Sequence, residues 1–132
     1  MIDEYPEIAL ERFDKANIWI KYIISQIRNF MQDQILEVGA GCGSFTKSYM
    51  EKFKSITLTD LDNNSVKLLN KNFSKYQNIK ILSKATSEID KTFNTIIYFN
   101  VLEHVKDDIA EINSAIERLN VGGYLIILVP AH

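Results

Sequence analysis

A parallel β-sheet covered by helices on both faces, doubly wound, is the fold the sequence predicts. Three observations carry it. Runs such as Ile96 to Phe99 and Leu125 to Leu128 are apolar at consecutive positions, as strands buried on both faces are. These runs alternate with segments whose apolar residues recur at helical spacing, and right-handed crossovers then make a doubly wound sheet the default. A Gly-rich turn, Gly39 to Gly43, directly follows the segment Gln34 to Val38. The 132 residues suffice for one domain with a sizeable core and are too few for two, and no linker or repeat divides residues 1–132.

Residues 1–33 are expected to form an N-terminal helix. Ile20, Ile23, Ile24, Ile27 and Met31 share one apolar helical face, and Pro6 suits a first turn. Gln34 to Val38 then reads as a strand ending at Gly39, followed by a helix of about three turns through Phe45, Met50 and Phe53. Ile56 and Leu58 lie on one side of a second strand that ends at Asp60. Val66, Leu69 and Phe73 mark the next helix, with Asn63 or Asn64 as its N-cap. Ile79 to Leu82 is the third strand and Phe93 to Phe99 the fourth. Asp107 and Asp108 open another helix, where their charge favours the positive end of the dipole. Its inward stripe is expected to be Ile109, Ile112, Ile116 and Leu119, with Gly122 and Gly123 stopping it. Tyr124 to Val129 is the fifth strand, closed by Pro130.

Composition narrows the function classes. The chain is 46% hydrophobic and 24% charged, which fits a globular domain and not a disordered one. With 15 Lys and Arg against 17 Asp and Glu, the net charge of −2 lacks the footprint of a dedicated nucleic-acid binder. A single cysteine, Cys42, excludes an internal disulfide and a Cys-rich zinc site, and no His/Asp/Glu cluster has metal-ligand spacing. The longest strongly apolar run, Tyr124 to Val129, is far short of the ~20 residues that span a bilayer. The N-terminus is acidic where a signal peptide is basic, so a cytoplasmic protein without a membrane or nucleic-acid partner is expected.

In a doubly wound sheet, ligands bind beyond the carboxyl ends of the strands. The first strand end reads Glu37-Val38-Gly39-Ala40-Gly41-Cys42-Gly43, with glycines at alternate positions that permit a tight turn and close backbone approach to a ligand. The dinucleotide fingerprint wants its third glycine where Ser44 stands, and Glu37 is a poor neighbour for a diphosphate. A nicotinamide-dependent dehydrogenase is therefore disfavoured. A ligand carrying an ammonium group beside its anionic group suits the turn better. Asp60 lies 21 residues after Gly39, an interval at which a carboxylate can accept hydrogen bonds from both hydroxyls of a ribose. Leu61 follows, placed to pack on an adenine face. Each feature taken alone has a bland reading, a turn for the glycines and a helix cap for Asp60; the joint spacing argues for a site.

These residues, together with Phe99-Asn100-Val101-Leu102-Glu103-His104-Val105 and Leu119-Asn120-Val121-Gly122-Gly123-Tyr124-Leu125, resemble the class I S-adenosylmethionine-dependent methyltransferases, in particular the small type 11 and type 12 domains. The resemblance runs from Gln34 to Val129, and a leading segment with Arg12, Phe13, Asn17 and Trp19 looks like the cap helix that often precedes the glycine loop. It implies a Rossmann-like core over residues 34–132 that binds S-adenosylmethionine. On that basis Gly39, Ala40 and Gly41 contact the methionine part, and Glu37 organises the loop and the ammonium group. Asp60 holds the ribose with Leu61 on the adenine, Ala85 gives its N–H to the ring, and Asn100 offers its carbonyl to the ammonium group.

Two departures stand out. Lys84 occupies a position where the family commonly has an Asp that accepts from the adenine amino group, and Lys has no acceptor. Glu88 or Asp90 could substitute. Asn94 replaces the usual Asp before the fourth strand, read as a turn variation.

The expected chemistry is methyl transfer to a small molecule or biosynthetic intermediate, by direct displacement from the sulfonium. Proximity and orientation supply much of such a rate, and a base is needed only for nucleophiles that lose a proton. His104 is the candidate base, against a reading in which it caps or packs the following helix. Cys42 reads as a small residue that fits the turn, since no histidine partner is evident for a nucleophile. Trp19 and Tyr22 read as core, with a substrate entrance as the alternative. The competing function is a catalytically incomplete cofactor-binding or interaction module. Lys84 motivates it, and so does a chain that reaches His132 directly after the fifth strand, where related domains continue with elements that shield the sheet edge. A homodimer through that edge, or a longer parent protein, is expected.

Overall fold

A computed structural model describes the backbone of residues 6–131 and side chains from residue 15 onward. Of the leading-helix residues expected to form a cap, Arg12 and Phe13 have side chains outside the described residues. The element order is α1 (Pro6–Ile27), β1 (Ile35–Val38), α2 (Ser44–Tyr49), β2 (Ile56–Thr59), α3 (Asn63–Phe73), β3 (Ile79–Leu82), β4 (Phe93–Phe99), α4 (Asp108–Glu117) and β5 (Leu119–Leu128). Short 3-10 turns at Arg28–Phe30, Met50–Lys52, Thr86–Glu88 and Leu102–His104 finish or link these elements.

The five strands form one parallel sheet in the order β3-β2-β1-β4-β5. Ile35 of β1 pairs with Ile56 on one side and Thr95 on the other, so Val38, Thr59 and Tyr98 come level. The strand order reverses at β1, and the crevice above its carboxyl end is where such a sheet binds ligands.

Alternation along the strands divides the core into two layers. Ile35, Ile56, Leu58, Ile97 and Phe99 pack under α1, α2 and α3, meeting Ile20, Ile24, Tyr49, Leu69 and Phe73. Leu36, Ile96 and Tyr98 face the other way, toward Ile89, Leu102 and Ala115. The apolar face expected for the first helix is the buried one: Ile20, Ile24 and Met31 are in the core, with Ile23 and Ile27 packed against it.

Four expected details differ. Asp62 caps α3, its carboxylate accepting from the Ser65 N–H at 2.9 Å, because it sits three residues before that amide while Asn63 is already helical. The inward face of α4 is Ile112 and Ala115, whereas Ile109 and Ile116 are 70% and 53% exposed. Among the described residues no strand lies beyond β5 for them to cover. Nor do Gly122 and Gly123 stop that helix. Arg118 is its C-cap, β5 begins at Leu119, and the glycines lie in an irregularity where β5 shifts register against Phe93–Thr95. Asn94 likewise stands inside β4 and not in a turn before it; its side chain donates to the Asp33 carbonyl and accepts from Asn120.

No helix among the described residues is long and apolar enough to cross a membrane. No group of three or more His, Cys, Asp or Glu side chains among them is placed to hold a metal ion.

Candidate functional site

Beyond the carboxyl ends of β1, β2 and β3 lies a cavity of about 250 Å³, walled by Gly39, Asp60, Leu61, Lys84, Ala85 and Thr86, with Val101, Val105 and Glu111 opposite. Small-molecule sites commonly enclose ~300–1,000 Å³, so this one fits one end of an extended ligand. Four of the residues singled out from the sequence, Gly39, Asp60, Leu61 and Ala85, are brought together here. Glu37, Ala40, Gly41, Asn100 and His104 are not among its walls.

The glycine turn is built from inside. Gly39 and Ala40 donate their N–H groups to the Thr59 carbonyl at 2.8 and 3.0 Å, Gly41 donates to Asp60 Oδ2 at 2.9 Å, and Gly43 donates to the Ala40 carbonyl. With those amides spent, the turn offers no nest of free donors for a diphosphate. It offers bare backbone instead. Gly39 has φ +69°, and a Cβ there would stand 2.7 Å from Val101 Cγ2.

Asp60 is braced on both oxygens, with Oδ1 accepting from the Asp62 N–H at 2.9 Å. A carboxylate has about four acceptor positions, so two amides leave room for ligand hydroxyls. Leu61 is 69% exposed beside it, an apolar side chain held at the cavity wall with little to cover it.

Glu37 lies beneath the turn, fully buried on the α1/α2 side of the sheet. Its Oε1 accepts from Tyr49 Oη at 2.7 Å and Thr46 Oγ1 at 2.8 Å. Burial pushes its carboxyl up to about 7, with the two hydroxyls pulling the other way. The residue thus ties β1 to α2. Asn100 turns the chain out of β4 at φ +56°, a left-handed conformation that Asn tolerates, and its N–H donates to Leu128 at 2.9 Å.

His104 projects into solvent, its side chain 80% exposed and Nε2 3.7 Å from Glu103 Oε1, so it neither packs on α4 nor enters the cavity. Cys42 is exposed with Sγ 3.1 Å from Ser44 Oγ and no histidine beside it among the described residues, as a small turn residue would be. Trp19 is 45% exposed and meets Phe45 edge-on at 5.8 Å, and Phe45 stacks on Phe99 at 4.1 Å. Tyr22 is exposed. Neither aromatic is core in the sense expected.

Thr86 and Glu111 escaped the sequence reading. Glu111 sits on α4 next to Ile112, and its Oε1 accepts from Thr86 Oγ1 at 2.7 Å and Tyr98 Oη at 2.8 Å. Burial pushes the Tyr98 phenol well above its usual range, so it stays a donor. Arg118 fixes the Thr86–Glu88 turn, giving hydrogen bonds to the Ile89, Ser87 and Ser114 carbonyls. Drawing the buried stripe of α4 through Ile112 and Ala115 would have put Glu111 on the cavity side.

A family model described as a methyltransferase domain matches residues 7–132. The chain belongs to that family. Its fold agrees with the solved structure of CalS10, an amino pentose methyltransferase from Micromonospora echinaspora with S-adenosylmethionine bound, at a TM-score of 0.73 and 14% identity over 99% of this chain and 59% of that one. A hybrid PKS-NRPS synthetase, tasS of Hapsidospora irregularis, is 32% identical over 89% of this methyltransferase-family chain. The ribosomal RNA small subunit methyltransferase A of Wigglesworthia glossinidia brevipalpis is 37% identical over 55% of it. The chain spans only 3% of the synthetase's length and 28% of the ribosomal RNA enzyme's.

Proposed function

We propose that this domain binds S-adenosylmethionine and transfers its methyl group to a small-molecule acceptor. The observation that carries the reading is the joint placement of Gly39, Asp60, Leu61 and Ala85 on one cavity at the strand ends. The residues fit a nucleoside: a carboxylate with acceptor capacity for two hydroxyls, an exposed leucine for a purine face, and a turn stripped of side chains. A small-molecule acceptor is supported by the match to an amino pentose enzyme along nearly the whole chain, whereas the match to the RNA enzyme covers about half of it.

When bound, the cofactor supplies a methyl group activated by the positive charge on its sulfur. Asp60 would hold the ribose and Leu61 would cover the adenine. Gly39 and Gly41 let the methionine portion approach the backbone, and Glu37 keeps the turn in register with α2. Alignment of the acceptor is the main remaining requirement, and His104 is the candidate base for acceptors that lose a proton.

Calorimetry with S-adenosylhomocysteine tests this. One site per chain is expected, and Asp60→Ala should weaken binding roughly tenfold or more, the scale of a hydrogen bond to a charged group. Asp60→Asn keeps an acceptor for the Gly41 amide and should lose less. Folded wild-type protein that binds neither S-adenosylhomocysteine nor S-adenosylmethionine would overturn the reading.

The partner proposed for the sheet is a second copy. β5 is an edge strand, and Val121, Ile127 and Val129 stand exposed along or just beyond it. An unpaired edge of this kind favours strand pairing between chains. Light scattering should report a dimer; a monomer at every concentration would count against edge pairing.

A further inference from the structure

On the reading that the cavity receives the adenosine end of the cofactor, we propose that Glu111 accepts the hydrogen bond from the adenine amino group, a role that neither Lys84 nor its acidic neighbours Glu88 and Asp90 fill. Lys84 lines the cavity as a donor only. Of the two nearby acids that could replace it, Glu88 is folded back, its Oε1 accepting from the Ala85 N–H at 3.0 Å. Asp90 faces a different depression, between Lys80 and Lys91. Asp60 and Glu111 are the carboxylates that line the cavity, and Asp60 stands at the ribose position.

Glu111 is held for this task. Tyr98 and Thr86 both donate to Oε1, which fixes the carboxylate plane. Oε2 takes no partner among the described residues, and it is not sealed in, since no fully buried polar side-chain atom among them lacks a partner. An acceptor fixed at a cavity wall with one oxygen unspent selects a ligand that brings an N–H donor. It discriminates against the same ligand without that donor, because the carboxylate must then give up water with nothing in return. The Ala85 N–H is already donated to Glu88, so selection for adenine rests on Glu111 more heavily than a free Ala85 amide would require.

The test compares S-adenosylhomocysteine with its 6-deamino purine analogue, which carries hydrogen in place of the amino group, by calorimetry on the whole chain. Wild type should prefer the amino-bearing ligand roughly tenfold. Glu111→Gln keeps the volume and an oxygen for Tyr98 and Thr86 but turns an NH2 toward the cavity, and its preference should collapse to about one. Glu111→Asp, shorter by one methylene, should lose most of the preference and serves if the Gln variant does not fold. Equal affinity of wild type for the two ligands overturns the assignment, as does a preference that survives in a folded Glu111 variant. Failure of wild type to bind either ligand is a different result, and sinks the cofactor reading itself.

Discussion

Replacing Gly43 by alanine should destabilise the fold by about 3 kcal/mol, the sum of a left-handed backbone penalty of ~1–2 kcal/mol and an overpacking penalty of ~1–3 kcal/mol. Gly43 is the N-cap of α2 with φ +83°, and a Cβ there would stand 2.1 Å from Phe73 Cε2 and 2.5 Å from Cζ. Phe73 is a fully buried member of the core beneath α3, so its ring has no room to swing aside. Either the ring or the whole start of α2 must move, and α2 carries Thr46 and Tyr49 against Glu37. Gly41→Ala is the control. Its φ is +61° but nothing stands within 4 Å of its Cβ position, so only the backbone penalty of ~1–2 kcal/mol applies. Thermal melts should place the Gly43 variant roughly 10 °C below wild type and clearly below the Gly41 variant. Equal losses in the two variants would remove the Phe73 contact from the account.

That asymmetry between two glycines of one turn shows where sequence reading stops. Three glycines at alternate positions after an apolar run are visible as a turn, because glycine is the residue that adopts positive φ without strain. What lies opposite each of them is not visible, since Phe73 arrives from another helix. The same division runs through the molecule. Strand β4 stands out in sequence because both its faces are covered, which forces consecutive apolar residues from Ile96 to Phe99. The arc of α4 that faces inward does not, because Ile109, Ile112, Ile116 and Leu119 satisfy helical spacing as well as Ile112 and Ala115 do. Only the way α4 packs on the sheet, through Ile112 and Ala115, decides between them. The cavity divides likewise: Gly39 and Asp60 follow from local spacing within one βαβ unit, whereas Thr86 and Glu111 reach it from a 3-10 turn and a helix brought together by Arg118. The glycine amides show the limit most sharply. A glycine-rich turn reads as a set of donors for an anion, yet these donors are bonded to Thr59, Asp60 and Ala40.

Stability should fall as the pH rises from about 4.5 to about 7, with Glu37 as the cause. Its carboxyl has the ordinary value of about 4.5 in the unfolded chain, and burial pushes it up to about 7 when folded. Between those values the folded state holds a proton that the unfolded state has released. Folding is therefore strongest below the lower value and weakens until the upper one is passed, after which this contribution is level. At 1.36 kcal/mol per unit, the difference amounts to about 3 kcal/mol. Other acids titrate over the low end of that range, so the informative quantity is the difference from Glu37→Gln, which cannot ionise. Chemical denaturation from pH 5 to 8 should show the Gln variant gaining on wild type by up to about 3 kcal/mol, most of it by pH 7. A constant difference across that range would show that Glu37 does not titrate there. The hydroxyl partners make the assignment specific. Tyr49 and Thr46 donate to the carboxylate and hold its titration down against burial, and burial and Glu37 in turn push the Tyr49 phenol well up, so it remains a donor throughout. Thr46→Val removes one of those donors and leaves the burial intact. The pH at which the loss levels off should then move upward, a displacement that a general weakening of the fold would not produce.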